Sequence, residues 1–303
     1  MSEEIDRLRL FDPLGADSGG GREEARRRYV VLDVFTNTPL AGNQLAVFTD
    51  GRGLASGLMQ RMAREMNLSE TVFMLPPRAG GDVRARIFTP TSELPFAGHP
   101  VLGAAIVAAM ALGSDSIALE TERAEVPVQV RRGPGRAAFA RMAQPVPTVA
   151  AYERERELLA ALGVERSGLQ VEVYDNGPHH VYVALEDEAA VAALRPDMGA
   201  LAQLGEVCVS CFAGAGKRWK TRMFAPALGV PEDPATGSAA GPLAVHLARH
   251  GRVPFGEEIE ISQGAEVGRP SLLYARVDGS SLGIERVEVA GAAVILAAAD
   301  LLL

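Results

Sequence analysis

The sequence predicts an α+β chain built as two similar halves, each wrapping short strands around one apolar helix. Three observations carry that prediction. Short strand-like runs bounded by Gly, Pro and Asn recur along the chain. Residues 100–112 (PVLGAAIVAAMAL) and 238–251 (SAAGPLAVHLARHG) are helix-length and almost wholly apolar, as helices buried inside a protein are. Third, RIFTPTSELPFAGHPVLGAAIVAA and RMFAPALGVPEDPATGSAAGPLAVHLA run through the same order of roles: strand, Phe-x-Pro, acidic residue, glycine, buried helix.

Taken in order, residues 1–28 mix charge with glycine and are expected to form a disordered extension outside the core. YVVLDVF and QLAVF read as strands separated by the turn-rich TNTPLAGN. GLMQRMAREM carries Leu58, Met62 and Met66 at spacing four, an amphipathic helix that stops near Asn67. ETVFML and DVRARIFTP are strand-like, the first apolar helix follows, and then SIALET, VPVQV and AAFARM. The Pro-containing AQPVPT marks the expected boundary. A helix in YERERELLAALG opens the second half, with strands QVEVYD, HHVYVAL and RWKTRMFAP, the second apolar helix, and EIEIS, LLYARV and RVEVAG. The expected domains are 29–145, completed by a strand near 287–303, and 146–286.

Composition narrows the function classes. The chain has 303 residues, 48% of them hydrophobic, enough for two cores. Its 30 Lys and Arg against 38 Asp and Glu give a net charge of -8, with no basic run interleaved with aromatics, so nucleic acid is not an expected partner. No apolar run is long enough to span a membrane, and the cytoplasm is the default location. No Walker motif is present, so nothing points to a nucleotide.

The two apolar helices each begin at a glycine, Gly98 and Gly237. Helix N-termini offer unsatisfied N–H groups and partial positive charge, and a glycine lets a ligand approach them. If the two starts face one another, they form a metal-free clamp for a carboxylate. His99 follows Gly98, as an acid–base or hydrogen-bonding group or simply a polar helix-terminal residue. Asp233, in EDPATGS, is a site carboxylate or a turn residue; Ser238, after Gly237, is a hydroxyl donor or a packing residue. Glu70, in NLSETVF, is either a solvated strand-start residue or a proton shuttle. His246 and His250 have metal-ligand spacing, but an interaction with the helix C-terminus is the simpler expectation. Cys208 and Cys211 lie three apart on a strand and so point to opposite faces, which favours buried structural thiols over a redox or metal pair. His179-His180 is expected to shape the turn entering a strand.

The segments DVFTNTPLAGNQLAVF, MQRMAREMNLSETVF, RIFTPTSELPFAGHPVLG, CFAGAGKRWKTRMFAPALGV, EDPATGSAAGPLAVHLARHG and QGAEVGRPS closely resemble the PhzF family of phenazine-biosynthesis isomerases, from about residue 29 to 289. The resemblance implies a diaminopimelate epimerase-like fold, two barrel-like, mostly antiparallel sheets each around a central helix, with the active site in the cleft between domains. It implies isomerisation of trans-2,3-dihydro-3-hydroxyanthranilate to an aminoketone without cofactor or metal, by a homodimer. Glu70 matches the proton shuttle, His99 and Asp233 the other catalytic positions, and Gly98, Gly237 and Ser238 the positions lining the substrate carboxylate. Superfamily epimerases carry a cysteine at each helix start, and this chain does not, which disfavours a two-thiol racemase. It departs from the family in its N-terminal extension and in Gln44, where proline is frequent. Two alternatives stand beside this reading: a related isomerase or epimerase of another small amino or hydroxy acid, and a silent carboxylate-binding protein.

Overall fold

The computed structural model describes residues 26–133 and 135–303. Most of the predicted extension, residues 1–25, lies outside the described residues. Its last three residues are a correction: Arg26–Arg28 are not tail but the start of β1 (Arg26–Val34), paired antiparallel with Asp300–Leu302. The side chain of Arg28 bonds Asp300 across that pairing at 3.3 Å, which gives a charged sequence a reason to be ordered.

The chain divides into two compact units. The first comprises the described residues up to Leu40, Gln44–Met142 and Ala292–Leu303; the second comprises Ala41–Asn43 and Ala143–Gly291. In chain order the first unit holds β1, β2 (Asn43–Phe48), helix α1 (Ser56–Met66), β3 (Glu70–Leu75), β4 (Val83–Phe88), β5 (Glu93–Leu94), helix α2 (Gly98–Leu112), β6 (Ser116–Glu120), β7 (Glu125–Arg132) and β8 (Ala137–Gln144). The second holds β9 (Thr148–Ala151), helix α3 (Glu155–Leu162), β10 (Glu172–Asp175), β11 (His179–Ala184), helices α4 (Glu188–Ala193) and α5 (Met198–Ala202), β12 (Val207–Ala215), β13 (Arg218–Ala225), β14 (Val230–Asp233), helix α6 (Gly237–Arg249), β15 (Glu258–Gln263) and β16 (Ser271–Ser280). Strand β17 (Gly283–Leu302) runs through both, pairing first with β16 and then with β1.

The duplication read from the sequence is visible in the pairing order. In the first unit the order is β17-β1-β2-β3-β4-β6-β7-β8, and β8 returns to β17, closing a barrel. In the second it is β10-β11-β12-β13-β15-β16-β17. The same two joints are parallel in each: β2 with β3 and β4 with β6, then β11 with β12 and β13 with β15. Neighbouring strands are otherwise antiparallel wherever a register is defined. The short strands β5 and β14 are added to β4 and β13 in turn, and each leads into the buried helix.

The helices obey their local chemistry. Helix α1 ends where Asn67 takes the left-handed conformation, φ 50°, and donates its N–H back to Ala63. It rests Met59, Met62 and Ala63 on the stacked pair Phe48 and Phe73. Helix α2 begins at Gly98, and every residue from Gly98 to Ala109 is buried. Helix α6 is buried from Gly237 to Ala248 and tolerates the interior Pro242. The short helices α4 and α5, not anticipated from the sequence, start at Asp187 and Asp197, whose side chains accept from the N–H of Ala190 and Ala200. RVEVAG, expected as a short strand, is the middle of the long β17, because nothing after it forces a turn.

Candidate functional site

The first unit brings Glu70 and His99 together. Glu70 opens β3 beside Leu45 of β2, and His99 is the second residue of α2. Nε2 of His99 lies 3.3 Å from Oε2 of Glu70; the imidazole is buried and the carboxylate nearly so. Burial drives the His99 pKa down to about 3, only partly opposed by a hydrogen bond to the Gln44 backbone. The ring is therefore neutral near pH 7. With Nε2 turned to Glu70, the Gln44 bond falls to Nδ1, so Nδ1 carries the ring hydrogen and Nε2 presents its lone pair. Such a pair can hold one proton between a carboxyl oxygen and an imidazole nitrogen.

The second unit holds Asp233, just before the Gly237–Ser238 helix start, in a network that the sequence did not reveal. Asp233 ends β14, buried, four residues before α6. Its Oδ1 accepts from Asn43 Nδ2 at 2.8 Å and its Oδ2 from the Thr236 hydroxyl at 2.6 Å. Asn43 Nδ2 also donates to the Ala235 carbonyl, and Gln263 Nε2 donates to the Asp233 carbonyl and to Thr236 Oγ1. Burial raises the Asp233 pKa, while the Thr236 and Asn43 bonds act against it. Gly264, directly after Gln263, has φ 82°, and a Cβ there would fall 2.4 Å from the carbonyl oxygens of Pro234 and Arg269. Only glycine lets the Gln263 turn approach the EDPATG loop so closely.

The two helix starts share a further property. Among the described residues, neither Ala97 nor Thr236 caps its helix with a side chain, and neither first turn contains an acidic residue. The Thr236 hydroxyl is committed to Asp233 instead. The first carbonyls of α6 are braced from outside: Gly237 by Gln144, Ser238 by Asn176 and Ala239 by the Tyr182 hydroxyl. The start of α6 is thus braced on its acceptor side and carries no side-chain cap on its donor side.

Other sequence candidates find structural partners. His246 Nδ1 and His250 Nε2 lie 3.3 and 3.0 Å from Glu172 Oε2, a residue sequence reading missed. The Tyr174 hydroxyl donates to the same oxygen and Arg249 bonds the other, so that carboxylate is saturated as an ion-pair network at the end of α6. Cys208 and Cys211 are buried in different clusters, Cys211 in the core under α3 and Cys208 beside Met223; burial lifts the Cys211 thiol to about 12. His180 corrects its expectation: it lies inside β11 with its side chain fully buried, rather than shaping a turn.

Among the described residues, no helix is long and apolar enough to cross a membrane. A family model described as phenazine biosynthesis-like protein, PhzC-PhzF, matches residues 32–299. The chain is 54% identical over 264 residues to the trans-2,3-dihydro-3-hydroxyanthranilate isomerase of Pseudomonas aeruginosa, covering 87% of this chain and 95% of that protein. A solved structure described as a predicted epimerase from Pseudomonas aeruginosa is similar at TM-score 0.78 and 34% identity, over 91% of this chain and 99% of that one. A hydroxyproline epimerase from Agrobacterium vitis shares the fold at TM-score 0.61 and 12% identity, over 93% of this chain and 94% of that one.

Proposed function

Since the chain belongs to the phenazine biosynthesis-like PhzC-PhzF family, we propose that it is an isomerase of trans-2,3-dihydro-3-hydroxyanthranilate, the compound for which its 54%-identical relative is named. Glu70 removes the C3 proton and returns a proton to the ring on the same face, and the resulting enol tautomerises to the aminoketone 6-amino-5-oxocyclohex-2-ene-1-carboxylate. The single observation that supports this most is the 3.3 Å approach of His99 Nε2 to Glu70. Once Glu70 has taken the substrate proton, the neutral imidazole accepts a hydrogen bond from it, holding the proton until it is delivered. One base moving one proton within one molecule requires geometry and proton affinity, not an electron carrier.

Asp233 is assigned to the polar groups of the substrate, its orientation fixed by Asn43 and Thr236. Gly98, Gly237 and Ser238 are assigned to its carboxylate, received by the N–H groups of two uncapped helix starts. The working form is taken to be a cytoplasmic homodimer. The test is direct: pure protein is incubated with the dihydro-hydroxyanthranilate and its absorbance followed. Consumption to the aminoketone supports the proposal. Binding without consumption points to a carboxylate-binding protein, and neither binding nor consumption to a different substrate.

A further inference from the structure

His180 stands on the face of the second unit's sheet that α6 covers. Its sheet neighbours are Tyr174 on β10 and Cys208 on β12, and Tyr182 follows two residues on along the same face. The surrounding side chains reach the first turn of α6: Asn176 Nδ2 donates to Ser238 O at 2.9 Å, and the Tyr182 hydroxyl to Ala239 O at 2.6 Å. His180 and Asn176 are both 0% exposed. Yet neither ring nitrogen of His180, nor Oδ1 of Asn176, has a hydrogen-bond partner among the described residues.

Burial first, and the neighbouring His179 second, push the His180 pKa down to about 3, against the pull of Asp175. The ring is then neutral and carries one donor and one acceptor. Leaving such groups unmatched in an interior is costly. A phenylalanine of similar shape would fill the place without that cost. An unmatched polar ring, among side chains that bond the first turn of a helix without a side-chain cap, is the arrangement of a group that meets a ligand.

We propose that His180 is a substrate-contacting residue of the α6 half of the site, acting with Asn176. The His180 N–H takes an oxygen of the ligand, and Asn176 Oδ1 takes an N–H or O–H. The ligand class is therefore a small carboxylic acid bearing an amino or hydroxyl donor, and a plain carboxylate lacks one of the two matches. The inference rests on the assignment of the α6 start to the substrate.

Two measurements on the full chain test it. His180→Phe replaces an unmatched polar ring by an apolar one of similar shape, so its thermal midpoint should equal or exceed that of the unsubstituted protein. Its kcat/KM for the dihydro-hydroxyanthranilate should fall about 10- to 100-fold, mostly through KM, as expected for a lost polar contact in a desolvated site, and His180→Gln should recover part of the loss. A stable His180→Phe enzyme with unchanged kcat/KM overturns the inference while leaving the isomerase reading in place. Absence of turnover by the unsubstituted protein overturns that reading and this one with it. The second measurement needs a folded variant only to assign the signal: ring 15N signals are followed while 3-hydroxyanthranilate is added to the unsubstituted protein. Saturable movement of the His180 signal, assigned by its loss in His180→Phe or His180→Gln, supports the contact. A His180 signal that stays fixed while that of His99 moves overturns it.

Discussion

Nε2 of His99 stands 3.3 Å from Oε2 of Glu70, joining the second residue of a buried helix to the first residue of a strand. Glu70→Gln keeps the shape and removes the base. Turnover should drop about 10²- to 10⁴-fold, the usual contribution of one positioned acid–base group. Ligand affinity and thermal midpoint should stay close to those of the unsubstituted protein. Steady-state kinetics, calorimetric binding and a thermal melt check the three, and full activity would remove Glu70 from the reaction.

Asn43→Ala tests how Asp233 is held. The substitution strips a 2.8 Å donor from a buried carboxylate whose pKa burial already raises. A stability loss of about 1–3 kcal/mol is expected, the cost of an unmatched buried acceptor. Denaturant unfolding measures it. Activity should fall in the same variant, because Thr236 alone no longer fixes the carboxylate.

Gly264→Ala should be damaging, because the residue is buried as well as left-handed. The added methyl would meet two backbone oxygens at 2.4 Å in a residue with φ 82°. Left-handed backbone alone costs a non-glycine residue about 1–2 kcal/mol, and rigid carbonyls cannot move aside as a side-chain end can. The expected result is a lower thermal midpoint together with weakened substrate binding, since Gln263 carries the distortion to Asp233.

Stability should fall on mild acidification. His99 and His180 are held down to about 3 and His246 to about 4 by burial, against the ordinary 6.5. Their folded values lie below the unfolded value, so the unfolded chain binds the extra protons. Their contribution is complete above about pH 6.5 and is lost as the pH falls toward 4, each ring adding up to about 1.4 kcal/mol per pH unit. Asp233, raised by burial, works in the opposite sense at the acid end. Thermal midpoints from pH 7 to 4.5 should decline, and less steeply in His180→Phe; a flat profile would contradict the burial of these rings.

Much of this was legible in the chain. A glycine before an apolar run marks a buried helix start, and the recurrence of that pattern announced the repeated unit. His99 stood out as an ionisable residue beside a glycine helix start, whereas Glu70, an acid at a strand start, was marked only by its match to the family's proton-shuttle position. What escaped notice has a common cause, which is distance along the chain. Asn43 and Gln263 reach Asp233 from 190 and 30 positions away, through amide groups that look like turn residues in a sequence. Glu172 meets His250 across 78 positions. His180 reads as turn chemistry beside His179, since only the strand's pleat shows which of the two is buried.

The path of β17 sets an order of assembly. Its first part pairs with β16, close by in the chain, whereas its last part must find β1, so that Arg28 meets Asp300 across 272 positions. Closing so distant a pairing carries the larger entropic cost and waits for β17 to be made. During synthesis the Asp233 unit can therefore gather its strands first. The sheet of the unit holding Glu70 and His99 stays open, with β1 as an exposed edge, until the far part of β17 has paired with it.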